Sequence, residues 1–332
     1  MKIVVIGSDG IGKIVSPEGV EYTAWSGTAQ ASGVGLACAL SPDDAIYLIP
    51  RIGFDIVDEY ATFLAQKYEG RLDSSHALTD PRGNNAGHNV TVGEMWEIQL
   101  TYRPDPIRLE ELPHDVLAEA DAIVFNAGCA EMYEGSLIGE VKERFPHLFI
   151  YVDVHLNVCY LDHDFVMYYG PWPTWRTDLS AADAVQLNEH EAALMLDTGA
   201  PVGISAAYPP AEAIVEILSC GAKRVALTLA DRGCIVCDES RHLSFLPAVP
   251  IDEVVDSCGA GDAFGGAFLA GLLTGKSTVE AALMGCVTGA ATCQCLGYLT
   301  PSDLTRDDIN ATVSRLREEG RCWSHVTPET SP

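Results

Sequence analysis

The order of its apolar runs is the feature that most constrains the fold of this 332-residue chain. Short apolar runs bounded by turn residues alternate with longer segments of helical period. The predicted strands are residues 3–6, 122–125, 148–152, 184–187 and 224–228. The predicted helices are residues 33–40, 55–67, 134–144, 188–196 and 211–220. This alternation predicts an α/β fold whose central sheet is largely parallel and carries helices on both faces.

Two segments interrupt the alternation, residues 13–25 and residues 76–102. Both lack a helical period and carry the β-rich alternation of apolar and polar residues, so we expect strands outside the main sheet. Residues 1–320 are predicted to form one sheet-centred domain. The polar residues 321–332 are predicted to be a disordered tail.

The chain is strongly acidic, with 20 basic and 47 acidic residues and a formal charge of −27. Nucleic acids and anionic membranes require basic surfaces, so neither is an expected partner. The chain starts directly with a strand pattern rather than a signal peptide. The apolar stretches 263–273 and 281–297 are too short and too rich in small residues to predict a membrane span. We therefore expect a cytoplasmic protein.

The eleven cysteines raise the question of a metal site. Cys234 and Cys237 have a Cys-x-x-Cys spacing, and Cys293 and Cys295 follow later. A structural zinc site needs four ligands on tight turns, whereas Cys234 and Cys237 lie in a strand pattern. These cysteines are predicted to be small apolar side chains of the core.

A glycine loop at Asp256–Asp262 has the strongest chemical pattern of the chain. Gly259 and Gly261 let backbone N–H groups turn toward an anion at the start of a predicted helix. Asp262 places a carboxylate beside that anion site. An anion site next to a base is what phosphoryl transfer to a hydroxyl group requires.

A second glycine loop, Gly7–Lys13, fits the spacing of a P-loop after a strand. Position 14 is Ile rather than the Ser or Thr whose hydroxyl would hold magnesium. Pro17 interrupts the helix whose N-terminus would bind the phosphates. The loop is therefore predicted not to be a P-loop.

The Asp256–Asp262 segment resembles the second signature of the ribokinase/PfkB carbohydrate kinases, in which an acid, a hydroxyl residue and any residue precede Gly-Ala-Gly-Asp. The resemblance implies a ribokinase-like fold with a small β lid from segments 13–25 and 76–102. It also implies ATP as phosphoryl donor with Mg²⁺, Asp262 as the catalytic base, and Gly259, Ala260 and Gly261 as the anion hole.

Further segments resemble the nucleotide site of the family. Asn188 and Glu191 match its Asn-x-x-Glu motif, which implies that Glu191 organises water around Mg²⁺; the pair also fits a helix capping box. Thr228 and Gly233 match a strand and turn beneath the ATP phosphates and ribose. Ala230 stands where the family usually has glycine.

The substrate end of the chain departs from the family pattern. Gly27, Thr28 and Ser32 replace the usual Gly-Gly pair and Asn, and Asp9 is the acid nearest to the position of the usual Asp. Asp153 follows the predicted strand 148–152 and is expected near the cleft, or bonded to its own loop.

The acceptor is therefore left open. A sugar or sugar derivative comes first and a nucleoside second, with the aromatic segment 168–175 either stacking on a base or packing in the core. A catalytically weak small-molecule sensor is the alternative from another class. Lids pair between subunits in this family, so the resemblance is compatible with a homodimer.

Overall fold

The computed structural model describes residues 1–15, 21–84, 89–91, 98–196, 208–321 and 323–325. Its strands are β1 Lys2–Gly7, β2 Asp9–Val15, β3 Glu21–Gly27, β4 Ala45–Gly53, β5 Leu78–Asp80, β6 Asn89–Thr91, β7 Ala122–Asn126, β8 Phe149–Asp153, β9 Cys159–Leu161, β10 Met167–Tyr169, β11 Ala184–Asn188, β12 Val225–Thr228, β13 Gly233–Cys237, β14 Ser244–Pro247 and β15 Ser324–His325. Ten of them form one sheet in the order β5-β4-β1-β7-β8-β11-β12-β13-β14-β15. The strands from β5 to β12 in this order run parallel, and β13, β14 and β15 are added antiparallel at one edge.

Helices cover both faces of this sheet. They are α1 Thr28–Ala39, α2 Val57–Lys67, α3 His114–Glu119, α4 Leu137–Arg144, α5 Trp175–Leu179, α6 Glu189–Met195, α7 Pro210–Cys220, α8 Ala260–Leu273, α9 Thr278–Thr292 and α10 Arg306–Glu318. Side chains alternate along β1, so Val4 and Ile6 join the core beneath α3 to α7, whereas Ile3 and Val5 join the core beneath α1, α2 and α8 to α10. The predicted two-faced α/β fold is confirmed.

Each predicted strand of the main sheet is present within one residue at either end. The helix predicted from residue 33 begins earlier, at Thr28, because Gly27 ends β3 directly before it. Strand β4 was not predicted, although it carries the apolar run 46–49.

A separate small sheet has the order β3-β2-β6. Strands β2 and β3 pair antiparallel from Asp9 opposite Gly27 to Val15 opposite Glu21, and β6 pairs parallel with β2. The expectation that the strands of 76–102 lie outside the main sheet is wrong for β5, which pairs with β4 of that sheet, and Gln99 forms a bridge with Val166.

Parts of the predicted segments lie outside the described residues, namely 16–20, 85–88 and 92–97, together with 322 and 326–332 of the tail. The extents of the domain, the lid and the tail therefore stay predictions. Within the described part of the chain, no helix is long and apolar enough to cross a membrane.

Helix α8 lies at backbone-contact distance from its neighbour α1. A Cβ atom on Gly266 would stand 2.3 Å from the carbonyl oxygen of Ser32, and one on Gly35 would stand 2.3 Å from that of Ala263. The small residues of α8 thus allow a close helix pair in the second core. This packing fixes the position of the N-terminus of α8, which carries the glycine loop.

Candidate active site

The carboxyl ends of four strands and the N-terminus of one helix meet along the same side of the main sheet. The last residues of β7, β8, β11 and β12 are Asn126, Asp153, Asn188 and Thr228. The carboxyl ends of parallel strands are where open α/β sheets bind ligands. Asp262, in the first turn of α8, reaches this edge because its side chain contacts Asn126.

The glycine loop starts α8 with a left-handed residue, Gly259, at φ +76°. A Cβ atom there would lie 2.5 Å from the ring of Tyr298, so only glycine fits. Ala260 N–H lies 3.3 Å from Ser257 O, and helix geometry leaves the N–H groups of Gly261 and Asp262 without an intrahelical acceptor. These two amides are the donors that the loop offers to an anion.

A buried glutamine, Gln186 on β11, supports this loop from beneath. Its Nε2 donates to Gly261 O at 2.7 Å, and its Oε1 accepts from Tyr151 Oη at 2.5 Å. A Cβ atom on Gly265 would come within 2.3 Å of Gln186 Oε1. Sequence reasoning did not find Gln186, because a polar residue inside a strand pattern carries no signal of its partner.

The Asp262 carboxylate is held by an asparagine that was also not predicted. Asn126 Nδ2 donates to Asp262 Oδ1 at 2.6 Å, and His155 Nδ1 lies 3.7 Å from the same oxygen. The Asp262 side chain is 12% exposed, so it is shielded but still reachable. The available signal was the position of Asn126 at the end of a predicted strand.

Two further carboxyl groups lie close enough to Asp262 to interact electrostatically. Burial, followed by repulsion from Glu191 and Asp262, raises the pKa of Asp153 well above its ordinary value. Burial also raises the pKa of Glu191, and Asp262 adds to the shift while His155 opposes it. Among the described residues, no three metal-ligating side chains are grouped closely enough to hold a metal directly.

The capping-box alternative for Asn188 and Glu191 is confirmed. Asn188 Oδ1 accepts from the N–H groups of His190 and Glu191, both at 2.9 Å. In return, Glu191 accepts from Asn188 N at 2.8 Å and from Asn188 Nδ2 at 2.7 Å. This cap places the Glu191 carboxylate at the N-terminus of α6, and its magnesium role stays a prediction.

The predicted nucleotide turn follows β12. Ala230 has a φ of +52°, which explains why glycine suits this position. Gly233 has a φ of +110°, and a Cβ atom there would lie 2.0 Å from Leu246 O. Thr228 Oγ1 lies 3.4 Å from Leu187 O. Arg232 pairs with Glu189 at 2.5 Å, which joins this turn to the start of α6.

Of the predicted substrate residues, Asp9 and Gly27 belong to the small sheet and Thr28 and Ser32 to α1, whereas Asp153 ends β8. Thr28 Oγ1 donates to Asn126 O at 2.6 Å and accepts from Ser8 N at 2.9 Å, so its hydroxyl joins the residue after β1 to the end of β7. Ser32 Oγ accepts from Asn126 Nδ2 at 2.8 Å. A Cβ atom on Gly27 would lie 2.1 Å from Asp9 Oδ1.

Asp9 itself is buried under the junction of β3 and α1. Its carboxylate accepts from Gln30 N at 3.1 Å and from the Tyr60 hydroxyl. Burial raises the pKa of Asp9 to about 7. These contacts make Asp9 a support of the α1 N-terminus.

The structure also bears on three further expectations from the sequence, which concern the P-loop pattern, the cysteines and the aromatic segment. The chain passes from β1 into β2, where Lys13 pairs with Glu21, so the prediction against a P-loop is confirmed. Cys234 and Cys237 are buried in β13, as expected for core residues. In the aromatic segment Trp172 and Trp175 are buried in the core, whereas Tyr168 is 52% exposed.

Comparisons with known proteins agree with this geometry. The family described as pfkB family carbohydrate kinase matches residues 72–304 of the chain. A cytidine kinase of Thermococcus kodakarensis is 28% identical over 300 residues, which cover 86% of this chain and 93% of that protein. A ribokinase of Lactococcus lactis is 33% identical over 132 residues, 39% of either chain. The solved structure of ribokinase from Giardia lamblia superposes with a TM-score of 0.73 at 18% identity, covering 95% of this chain and 99% of that one.

The chain therefore belongs to the pfkB family of carbohydrate kinases. It is a phosphotransferase that acts on a hydroxyl group of a sugar or a nucleoside. The structural likeness supports the ribokinase-like fold.

Proposed function

We propose that this protein transfers the γ-phosphoryl group of ATP, with Mg²⁺, to a hydroxyl group of an uncharged nucleoside or sugar. The observation that carries the proposal is the position of Asp262. Its carboxylate lies in the first turn of α8, beside the free amides of that helix and at the carboxyl ends of β7, β8 and β11. A base and an anion site are thus adjacent, as the reaction requires.

In the proposed reaction Asp262 accepts the proton of the acceptor hydroxyl while the oxygen of that hydroxyl forms a bond to the γ-phosphorus. The bond from the γ-phosphorus to the bridging oxygen of ADP breaks in the same step. Charge on the transferring group is stabilised by the amides of Gly261 and Asp262 and by the dipole of α8. Gly259 and Ala260 shape this anion hole, with Gly259 supplying the left-handed turn.

The residues present fit a magnesium ion. Asp153 is buried and Glu191 is partly buried, and the pKa values of both carboxyl groups are raised, in Asp153 partly by repulsion from Glu191. A divalent cation near them would remove this repulsion, and magnesium commonly keeps water between itself and carboxylates. Glu191 would hold the ion through water. Bound there, the ion would neutralise charge on the ATP phosphates.

The nucleotide is proposed to lie along the turn after β12, with its phosphates toward α8. Thr228, Ala230 and Gly233 would contact the phosphates and ribose. The apolar side chains of Val254 and Leu296 are 60% and 77% exposed beside the glycine loop, where a nucleobase could cover them. Their neighbour Val255 is joined to the end of α9 by a 2.8 Å hydrogen bond to Cys293 O.

The acceptor is proposed to be uncharged, because the described strands of the small sheet carry a single Lys or Arg residue, Lys13. Lys13 pairs with Glu21, and Arg103 pairs with Glu131. A phosphorylated sugar would need a cation that is free to bind it. The near full-length similarity to a cytidine kinase makes a nucleoside the first acceptor to test, and a sugar the second.

The small sheet is proposed to be the lid over the acceptor, with Asp9, Gly27, Thr28 and Ser32 supporting its base and Asp153 at the opposite wall. A homodimer through paired lids stays a proposal that size-exclusion chromatography with light scattering would test.

The test is ATP consumption by the full chain with cytidine, the other ribonucleosides, ribose and further free sugars. We expect rapid ADP release with one of them, and Asp262→Asn should lower kcat by about a thousandfold while ATP affinity changes little. Asp183→Asn is the control, since Asp183 is buried between Lys142 and Lys223 at the amino end of β11, on the side of the sheet away from the site. Near-normal turnover by Asp262→Asn would refute the base assignment, and tight ATP binding without turnover on any acceptor would favour the sensor.

A further inference from the structure

We propose that Asn126 is a positioning residue that orients the Asp262 carboxylate, so that Oδ2 is the oxygen that accepts the proton. This inference rests on the proposed role of Asp262 as the base. The side-chain amide of Asn126 lies between Asp262 on α8, Ser32 on α1 and His155 after β8. It is fully buried at the carboxyl end of β7.

The two hydrogens of the Asn126 amide account for its two short contacts. Nδ2 lies 2.6 Å from Asp262 Oδ1 and 2.8 Å from Ser32 Oγ, with the Thr28 carbonyl oxygen further away at 3.5 Å. A carboxylate accepts hydrogen bonds but does not donate them, so the nitrogen of the amide must face Asp262. The hydrogen bond to an ionised group is of the strong, charge-assisted kind.

Other elements hold the Asn126 side chain in place. Its backbone oxygen accepts from Thr28 Oγ1 at 2.6 Å, and β7 pairs with β1 and β8 on either side. Asn126 Oδ1 lies 3.3 Å from His155 Nδ1. His155 has a φ of +33°, an uncommon conformation for a residue other than glycine, and the turn thereby directs its ring toward this amide.

The consequence concerns which oxygen of Asp262 can act. Asn126 Nδ2 donates a hydrogen bond to Asp262 Oδ1, and His155 Nδ1 lies 3.7 Å from the same oxygen. Oδ2 is therefore the atom left for the acceptor hydroxyl. Without the Asn126 donor the carboxylate can rotate about χ2, and the fraction of molecules with Oδ2 in place falls.

The test compares Asn126→Leu with Asn126→Ala, using the acceptor with the highest kcat/KM in the panel above. Leucine nearly fills the space of asparagine but donates no hydrogen bond, whereas alanine leaves both a cavity and a missing donor. We expect both variants to lower kcat by about 10- to 100-fold, with the KM for ATP within about threefold of the parent value. Asp183→Asn, which alters a buried polar group far from the site, should keep kcat within about twofold.

A role in packing alone predicts that Asn126→Leu recovers most of the parent kcat, and that result would overturn the proposal. A crystal structure of Asn126→Ala is the second measurement. It should show the Asp262 carboxylate rotated or in several orientations, and an unchanged carboxylate would also count against the proposal. If Asp262→Asn stays active, the proposed base is wrong; if only the Asn126 variants stay active, the positioning role alone fails.

Discussion

The buried carboxyl group of Asp9 should make the stability of this protein depend on pH. Asp9 is 8% exposed, and its pKa is raised from 3.8 to about 7 by burial, against the opposing hydrogen bond from Tyr60. Between these two pKa values the folded protein binds a proton that the unfolded chain has lost. Stability contributed by this proton is present at low pH and disappears as pH rises through about 7.

The size of this effect follows from the two pKa values. Proton linkage gives a loss of about 2.5 kcal/mol of unfolding free energy from Asp9 alone between about pH 5 and pH 8. Asp9→Asn should remove this loss, since a neutral amide does not titrate. Asparagine can keep both contacts, with Oδ1 accepting from Gln30 N and Nδ2 donating to the Tyr60 hydroxyl oxygen.

Urea denaturation of the parent chain and of Asp9→Asn, each at about pH 5 and about pH 8, measures how the unfolding free energy depends on pH. We expect the parent to lose about 2.5 kcal/mol more than the variant, because the other titrating groups are common to both chains. Tyr60→Phe is the informative companion, since it removes a donor that lowers the pKa of Asp9 and should steepen the dependence on pH. Parallel pH profiles for parent and Asp9→Asn would refute the assignment of a buried, protonated Asp9.

Two further substitutions test the backbone geometry around the nucleotide and the glycine loop. Ala230→Gly should raise the unfolding free energy by up to about 1 kcal/mol, because Ala230 has a φ of +52°, and a loss of stability in urea denaturation would contradict this. Gly265→Ala should lower stability by about 1–3 kcal/mol and also lower kcat, because its Cβ would meet Gln186 Oε1 at 2.3 Å. Gly139→Ala on α4 is the matched control, since its Cβ would have 4.0 Å of space, and equal effects from both substitutions would reject the role of Gln186.

The fold could be predicted because its determinants are local. Each predicted strand of the main sheet is a short apolar run, and the residues directly before and after the run in the sequence set its ends. The Asp256–Asp262 loop is local as well, since Gly259 makes the left-handed turn and Asp262 follows three residues later. The wrong prediction for a strand within residues 76–102 also has a local cause, because β5 has only three residues, too few to show which sheet it joins.

The supports of the site could not be predicted because they are contacts between distant parts of the chain. Asn126 meets Asp262 across 136 positions, and Gln186 meets Gly261 across 75. Tyr298 accepts from Gly27 N across 271 positions and packs on Gly259. None of these polar residues shows its partner in a single sequence. Only the sheet order, which brings β7, β8 and β11 together, makes them neighbours.

The charges around the proposed base explain why a support such as Asn126 is needed. Asp153, Glu191 and Asp262 interact electrostatically within one site, and burial of the first two leaves their charge poorly solvated. In that environment the Asp262 carboxylate would turn away from its neighbours unless a donor held it. Asn126 supplies this donor without adding charge, whereas a lysine or arginine there would pair with Asp262 and compete with the acceptor hydroxyl for its carboxylate. A neutral amide thus holds the base in place and leaves the positive charge of the site to α8 and to the metal proposed beside Glu191.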